Sequence, residues 1–443
     1  MKRTDNQSKF DALREAFSTF TFESQTVKRE GGTLSLAFDF NLDDRYHFRP
    51  TLEIPARPFF DWDGIPEDQL KALAFQIGMT ELVSYWKIAC PKKVVVKPFA
   101  LTEKQKAFWK KLYYNGLGEF LYLNGISVSE AELMDIETLP IDSMPSHILP
   151  GNDMGSWFEE KTLVPIGGGK DSVVTLECLR NAMPVTPLIV NPRGATLNCV
   201  KAAGYKDDEF IVINRTLDPT MLKLNAEGYL NGHTPFSALL AFISILVAFG
   251  SRSKYIALSN ENSANESTVP GTNINHQYSK SIEFESDFRN YVAENLNQEV
   301  QYFSFLRPLS ELQIAKLFSE CEAYHPVFRS CNAGSKTDSW CGKCPKCLFT
   351  WIILSPFLSR EKLVAIFGKD LMADESLRPI LEELDGTAAV KPFECVGTVE
   401  EVQACMEAVK GNRQIVDGIL RRFNTHHFLP EPFERILKNR LHV

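Results

Sequence analysis

The chain has 443 residues, a net charge of −8, and a composition of 44% hydrophobic and 23% charged residues. It is too long for one ordinary core and has the make-up of a soluble globular protein, so two or three domains are expected. The acidic balance, with no basic stripe to offset it, argues against a dedicated nucleic-acid binder, although a local pocket can still hold a small anion.

The first residues are polar and carry no apolar export segment, which points to a cytoplasmic protein whose ten cysteines stay reduced. Residues 1–155 read as an α+β domain. Thr33–Phe40 alternates with period two, as a half-buried strand does. Asn41–Asp44 is a turn, and Tyr46–Ile54 is a second extended run, so a hairpin is expected. Pro66–Lys87 has helical periodicity with Leu70, Leu73, Ala74 and Ile77 on one face. Thr102–Leu121 repeats it with Phe108, Trp109, Leu112 and Tyr113, of which Trp109 and Tyr113 read as core or interface. Residues 140–160 have the Pro, Ser, Asp and Gly content of a linker.

Residues 156–360 alternate short apolar runs with helices, the signature of a parallel α/β sheet. Leu163–Ile166 is a strand, Thr186–Val190 a second, Glu209–Ile213 a third and Lys254–Leu258 a fourth. Between the last two, Thr234 is placed as the N-cap of an apolar helix with Pro235 in its first turn. The run Phe236–Phe249 spans about 14 residues, short of the roughly 20 that cross a bilayer, so it reads as a buried helix and no membrane association is expected. Residues 361–443 read as helical, with Ser359 and Thr398 as N-caps and Thr398-x-x-Glu401 as a capping box. Within them, Val390–Gly397 is too irregular for a helix.

Two motifs carry chemistry. Gly167-Gly168-Gly169-Lys170-Asp171-Ser172 follows a strand and opens a helix, where unpaired backbone N–H groups and the helix dipole favour an anion. It is not a Walker A motif, because Lys170 is followed by Asp, and the G-x-G-x-x-G spacing of dinucleotide-binding folds is absent. Cys331-x9-Cys341-x2-Cys344-x2-Cys347 supplies four thiolates at a spacing suited to one tetrahedral ion. A closed structural zinc site is expected, with an iron–sulfur cluster as the rival. Cys90, Cys178, Cys199, Cys321 and Cys405 read as ordinary core residues. Ligands of such sheets bind beyond the strands' carboxyl ends, which groups the glycine loop, Asn191–Arg193 and Asn260–Asn262 at one rim.

The glycine loop resembles the Ser-Gly-Gly-x-Asp-Ser loop of the PP-loop ATP pyrophosphatases, with Gly167 where that family has its first serine. The resemblance implies an adenine-nucleotide-α-hydrolase-like parallel sheet and ATP as cosubstrate. It also implies that Gly167–Ser172, Asn191 and Asn260 hold the nucleotide and that Asp171 holds Mg²⁺. Residues 163–355 are similar to the cyano-deazaguanine synthases, through the loop, Leu258–Asn262, Leu306–Leu309, Ser330-Cys331 and the cysteine triplet. Those enzymes lack counterparts of the two flanks. With its flanks and the Asn231–Phe236 segment, the chain resembles instead the ATP-dependent UDP-N-acetylmuramoyl-L-alanyl-L-glutamate epimerases of peptidoglycan precursor synthesis.

That resemblance implies adenylation of the terminal glutamate's carboxylate, inversion at Cα and hydrolysis to AMP, acting on a UDP-sugar peptide. Adenylation cancels the carboxylate charge that would otherwise oppose removal of the Cα proton. Candidate bases are His233, Cys395 and Glu261, with His276 behind them. Arg193, Arg307 and Arg329 are candidates for binding the acidic substrate. The alternatives are another carboxylate-adenylating PP-loop enzyme, amide- or nitrile-forming, or a nucleotide-binding protein without catalysis.

Overall fold

The computed structural model describes residues 3–139, 144–145, 148, 156–269, 271–272 and 274–441. In chain order the strands are β1 (Thr19–Glu30), β2 (Thr33–Leu42), β3 (Tyr46–Phe48), β4 (Thr51–Ile54), β5 (Lys93–Val96), β6 (Asp135–Thr138), β7 (Glu159–Pro165), β8 (Val185–Val190), β9 (Ile211–Thr216), β10 (Ser253–Leu258) and β11 (Gln301–Ser304). The chain forms two compact units, each assembled from three stretches. The first comprises Met1–Glu159, Val212–Lys254 and Gln277–Gln301, and the second Glu160–Ile211, Tyr255–His276 and Tyr302–Val443.

In the first unit the strand order is β9-β4-β2-β1-β5-β6, with β3 on β2. β1 and β2 pair antiparallel with Phe22 opposite Phe40, and their inward phenylalanines (20, 22, 38 and 40) are fully buried. Helix Glu67–Trp86 packs on them: Phe75 stacks on Phe22, and a Cβ at Gly78 would lie 2.4 Å from the Phe22 ring, so glycine is what lets the helix approach. This helix is buried on nearly every side from Ala72 onward, as is Phe236–Ser251, which accounts for the weak amphipathic pattern of both. No described helix is long and apolar enough to cross a membrane.

Local departures from expectation have identifiable causes. The second extended run splits into β3 and β4 around Arg49-Pro50 because proline has no N–H for the ladder, and both pieces pair with β2. The expected helix at 102–121 breaks at Leu117 into Glu103–Gly116 and Gly118–Asn124. Gly116 there abuts the Pro235 ring, which a Cβ would approach to 2.7 Å. Trp109 and Tyr113 are core, the Tyr113 hydroxyl donating to the Met79 carbonyl. Thr234 does not cap the apolar helix. Pro235 occupies the N-cap without a side-chain bond, and Thr234 contributes only its carbonyl, to the N–H of Phe236. β9 starts two residues later than expected. The expected linker at 140–160 falls largely outside the described residues.

In the second unit the order is β11-β10-β7-β8. β7 and β8 pair in parallel. Glu159 N–H donates to the Arg252 carbonyl, so β7 and β10 begin side by side. Phe305 N–H donates to the Leu258 carbonyl, so β10 and β11 end side by side. The four strands therefore run the same way. β7 is followed in sequence by its neighbour on one side and later by β10 on the other, so strand order reverses at β7, and the crevice at such a reversal is where open α/β sheets bind ligands. Beyond Pro356 the chain is helical. Ser359 and Thr398 cap their helices as expected, and Phe433 of the last helix, Glu431–Leu441, packs on Tyr255 and Phe303 of the sheet.

Candidate functional site

β7 delivers the chain to the glycine loop, and helix Lys170–Leu179 leaves from it with Gly169 as N-cap. The three glycines differ. Gly167 is exposed and has nothing within 4 Å of a Cβ position. Gly168 has φ +78°, and a Cβ there would lie 2.9 Å from the Thr196 nitrogen, at the start of helix Gly194–Ala202. Gly169 faces Ser330, whose Oγ would be 3.0 Å from its Cβ. Ser172 Oγ donates to the Gly169 carbonyl, and the Arg329 N–H donates to the Gly168 carbonyl. The loop is thus braced from both sides while the unpaired N–H groups of the first helical turn remain available to an anion.

Lys170 is 3% exposed, and its ammonium bridges Asp171 Oδ1 (2.5 Å) and Glu311 Oε2. Burial alone would lower the Lys170 pKa; the two carboxylates overcome it and hold the group protonated. Burial pushes Glu311 the other way, toward its neutral form, against the pull of Lys170 and with Asp171, Glu261 and Glu401 adding to the push. Glu401 lies close behind: its Oε2 closes the Thr398 capping box and its Oε1 accepts from the Leu312 N–H. A Cβ at Gly397 would lie 3.0 Å from Glu311 and from Glu401, so the irregular 390–397 segment covers this carboxylate group. The sequence pointed to Lys170 and Asp171 but not to Glu311, and to Glu401 only as a cap.

At the strand ends, Asn191 is exposed with φ +52°, a conformation asparagine tolerates. Asn260 is 8% exposed and donates to Ser304 Oγ. Glu261 is buried, and its Oε1 accepts from Ser263 Oγ. Arg307 is no surface charge. It is fully buried, donating to the Glu261 carbonyl and Ser304 Oγ, and so braces the end of β10. Arg329 donates to the carbonyls of Pro326, Phe328 and Asp338 and shapes its own loop. Arg193 alone of the three is exposed, its guanidinium donating to Ser335 Oγ.

The four cysteines converge. Cys331 and Cys344 lie 3.6 Å apart, Cys344 and Cys347 3.5 Å, and Cys341 and Cys347 3.6 Å between sulfurs. An ion about 2.3 Å from each of four thiolates requires sulfurs about 3.8 Å apart, so the donor set fits one tetrahedral ion. Gly342, at φ +64°, makes the knuckle turn. Cys344 N-caps helix Pro345–Leu354, whose dipole favours thiolates. Of the remaining cysteines, Cys90, Cys178, Cys199 and Cys405 are buried and Cys321 is half-buried. Cys395 is half-buried, and its neighbour Glu394 pairs with Lys346 and accepts from Asn332, which ties the segment to the knuckle.

His233 belongs to the first unit. It is half-buried, with Nδ1 3.6 Å from the buried Glu119 carboxylate, a partner with no local sequence signal. His276 is half-buried in the second unit, its backbone N–H on Thr268 Oγ1.

Two family models match the chain: the MurL N-terminal domain over residues 11–305 and the MurL C-terminal domain over residues 327–427. Similar curated proteins carry the name UDP-N-acetyl-alpha-D-muramoyl-L-alanyl-L-glutamate epimerase. That of a Micromonospora species is 36% identical over 399 residues, 86% of this chain and 84% of the relative. That of Xanthomonas oryzae pv. oryzae is 31% identical over 426 residues, 94% and 91% of the two chains. That of Salinispora tropica is 35% identical over 400 residues, 86% and 82%. No solved structure matches the chain.

Proposed function

The chain belongs to the MurL epimerase family, and from that premise we propose that it epimerises the terminal L-glutamate of UDP-MurNAc-L-Ala-L-Glu to D-glutamate, using ATP through an acyl-adenylate. The observation that carries the nucleotide reading is the loop at Gly167–Ser172. It lies at the carboxyl end of β7, where strand order reverses, and opens a helix with a glycine forced into positive φ and a buried lysine between two carboxylates. A PP-loop assignment is consistent with the parallel order β11-β10-β7-β8.

In this reading the glutamate carboxylate attacks the α-phosphate of ATP, pyrophosphate leaves, and an acyl-adenylate forms. The loop N–H groups hold the departing phosphates, and Asn191 and Asn260 at the neighbouring strand ends belong to the nucleotide site. Mg²⁺ at Asp171 would neutralise phosphate charge. With the carboxylate masked, a side-chain base removes the Cα proton, a proton returns to the opposite face, and water releases AMP. The candidate bases are Cys395 and Glu261 in the second unit and His233, beside Glu119, in the first. The sulfur spacing supports a structural zinc ion at Cys331, Cys341, Cys344 and Cys347 rather than an iron–sulfur cluster, which spreads its cysteines over separate irons.

The test is to incubate the protein with ATP, Mg²⁺ and the UDP-muramoyl dipeptide, then measure AMP and glutamate chirality. AMP together with D-glutamate is expected. AMP without inversion points to an amide- or nitrile-forming enzyme, and no substrate-dependent AMP sinks the adenylation reading. Run in D₂O with Cys395→Ser, Glu261→Gln and His233→Ala, the same assay identifies the base as the variant that stops deuterium uptake at Cα. Metal analysis of the pure protein should find about one zinc per chain; iron with inorganic sulfide would overturn that assignment.

A further inference from the structure

The Ser330 hydroxyl oxygen is shut off from solvent and makes no hydrogen bond among the described residues. Native proteins rarely leave a buried polar group in that state unless it has a use. It lies against the glycine loop, 3.0 Å from where a Gly169 Cβ would stand. It is also held there. The preceding residue, Arg329, donates its N–H to the Gly168 carbonyl, and the following residue, Cys331, belongs to the four-cysteine site, its sulfur accepting from the Gly334 N–H. The other polar side chains of the loop are already engaged: Ser172 donates to the Gly169 carbonyl, and Lys170 is clamped between Asp171 and Glu311. Gly167 offers no side chain at all.

We propose that Ser330 donates its hydroxyl to the phosphates of the nucleotide held by the glycine loop, supplying from outside the loop the hydroxyl that Gly167 lacks. The proposal rests on the nucleotide reading above. A phosphate oxygen at the loop would accept the hydrogen bond that no described residue takes from Ser330, and a bond to a charged acceptor is among the stronger ones. It also gives the knuckle a second task, because the segment that carries Cys331 is the one that holds Ser330 against the loop.

The test measures binding of a non-hydrolysable ATP analogue with Mg²⁺ by calorimetry on the full chain, with metal content and melting temperature alongside. Ser330→Ala should raise Kd about tenfold or more, the ordinary loss for a hydrogen bond to a charged group. It should leave the metal in place and keep the nucleotide-free melting temperature equal or higher, because the orphaned oxygen is gone. Gly167→Ser, whose side chain enters open space, should restore most of the affinity when combined with Ser330→Ala. Unchanged affinity in Ser330→Ala, with normal binding by the unmodified protein, overturns the role of Ser330 and leaves nucleotide use standing. A weaker affinity that comes with lost metal and a lowered melting temperature also overturns it, in favour of a structural role. If the unmodified protein binds no analogue, the nucleotide reading itself fails and this inference with it.

Discussion

Gly167 and Gly168 are adjacent and chemically identical, yet only one of them is required. Gly168 sits at φ +78° with the Thr196 nitrogen 2.9 Å from a Cβ position, whereas Gly167 has open space and ordinary φ. Gly168→Ala should therefore destabilise by about 2 kcal/mol, and Gly167→Ala should stay within about 0.5 kcal/mol of the parent. Denaturant titration of the two variants checks this, and equal effects would mean that the loop is not held in this conformation. Lys87 makes a second residue-level case. It is 6% exposed, its ammonium donates to the Gly232 carbonyl, and burial lowers its pKa to about 8, with Arg215 pushing the same way and Cys90 and Glu119 opposing. Below pH 8 both folded and unfolded chains carry the proton, so the folded state bears the full burial penalty. Between about 8 and 10.5 the unfolded chain keeps a proton that the folded chain has released, so stability rises with pH, by at most on the order of 3 kcal/mol. Melting temperatures of the parent and Lys87→Met should diverge in the parent's favour across that window. Parallel profiles would show that Lys87 does not titrate there.

At the level of elements, Glu401 joins two helices. It closes the capping box of Val399–Val409 with Thr398 and accepts from the Leu312 N–H in the first turn of Glu311–Ser319. Thr398→Ala removes one cap and should cost about 1 kcal/mol. Glu401→Ala removes the acceptor for both helix ends and should cost about twice that, read from chemical denaturation. An equal loss in the two variants would mean that the Leu312 bond contributes nothing. The capping box was legible in sequence because its partners are three residues apart. The second bond was not, because 89 residues separate its ends. The same holds for the site. The glycine loop and the cysteine knuckle are patterns of residues close together in sequence, whereas Glu311 meets Lys170 across 141 residues. The strand β1 is hard to read from sequence for another reason: Thr19–Glu30 alternates cleanly only in its first part, and its ladder with β2 shifts register between Phe22 and Ser24.

At the level of the whole molecule, neither compact unit is a continuous stretch of chain. The first needs Val212–Lys254 and Gln277–Gln301 in addition to its N-terminal part. These supply β9, which pairs with β4, and helix Phe236–Ser251, whose Gly250 lies so close to Trp62 that a Cβ would come within 2.2 Å of the ring. A fragment ending at residue 159 should therefore keep secondary structure but lack fixed packing, with weak near-ultraviolet circular dichroism and strong binding of a hydrophobic dye. A sharp cooperative melt of that fragment would contradict this. By itself the sequence determined the features whose physics is local: the glycine loop opening its helix, the clustering of four cysteines, the Ser359 and Thr398 caps and the all-apolar helix, together with the family those features suggested. Only the tertiary structure decided which carboxylate clamps Lys170, that Arg307 is a buried brace, and that Ser330 stands against the loop. Those pairings join residues far apart in the chain through burial and packing, and no short-range pattern records them.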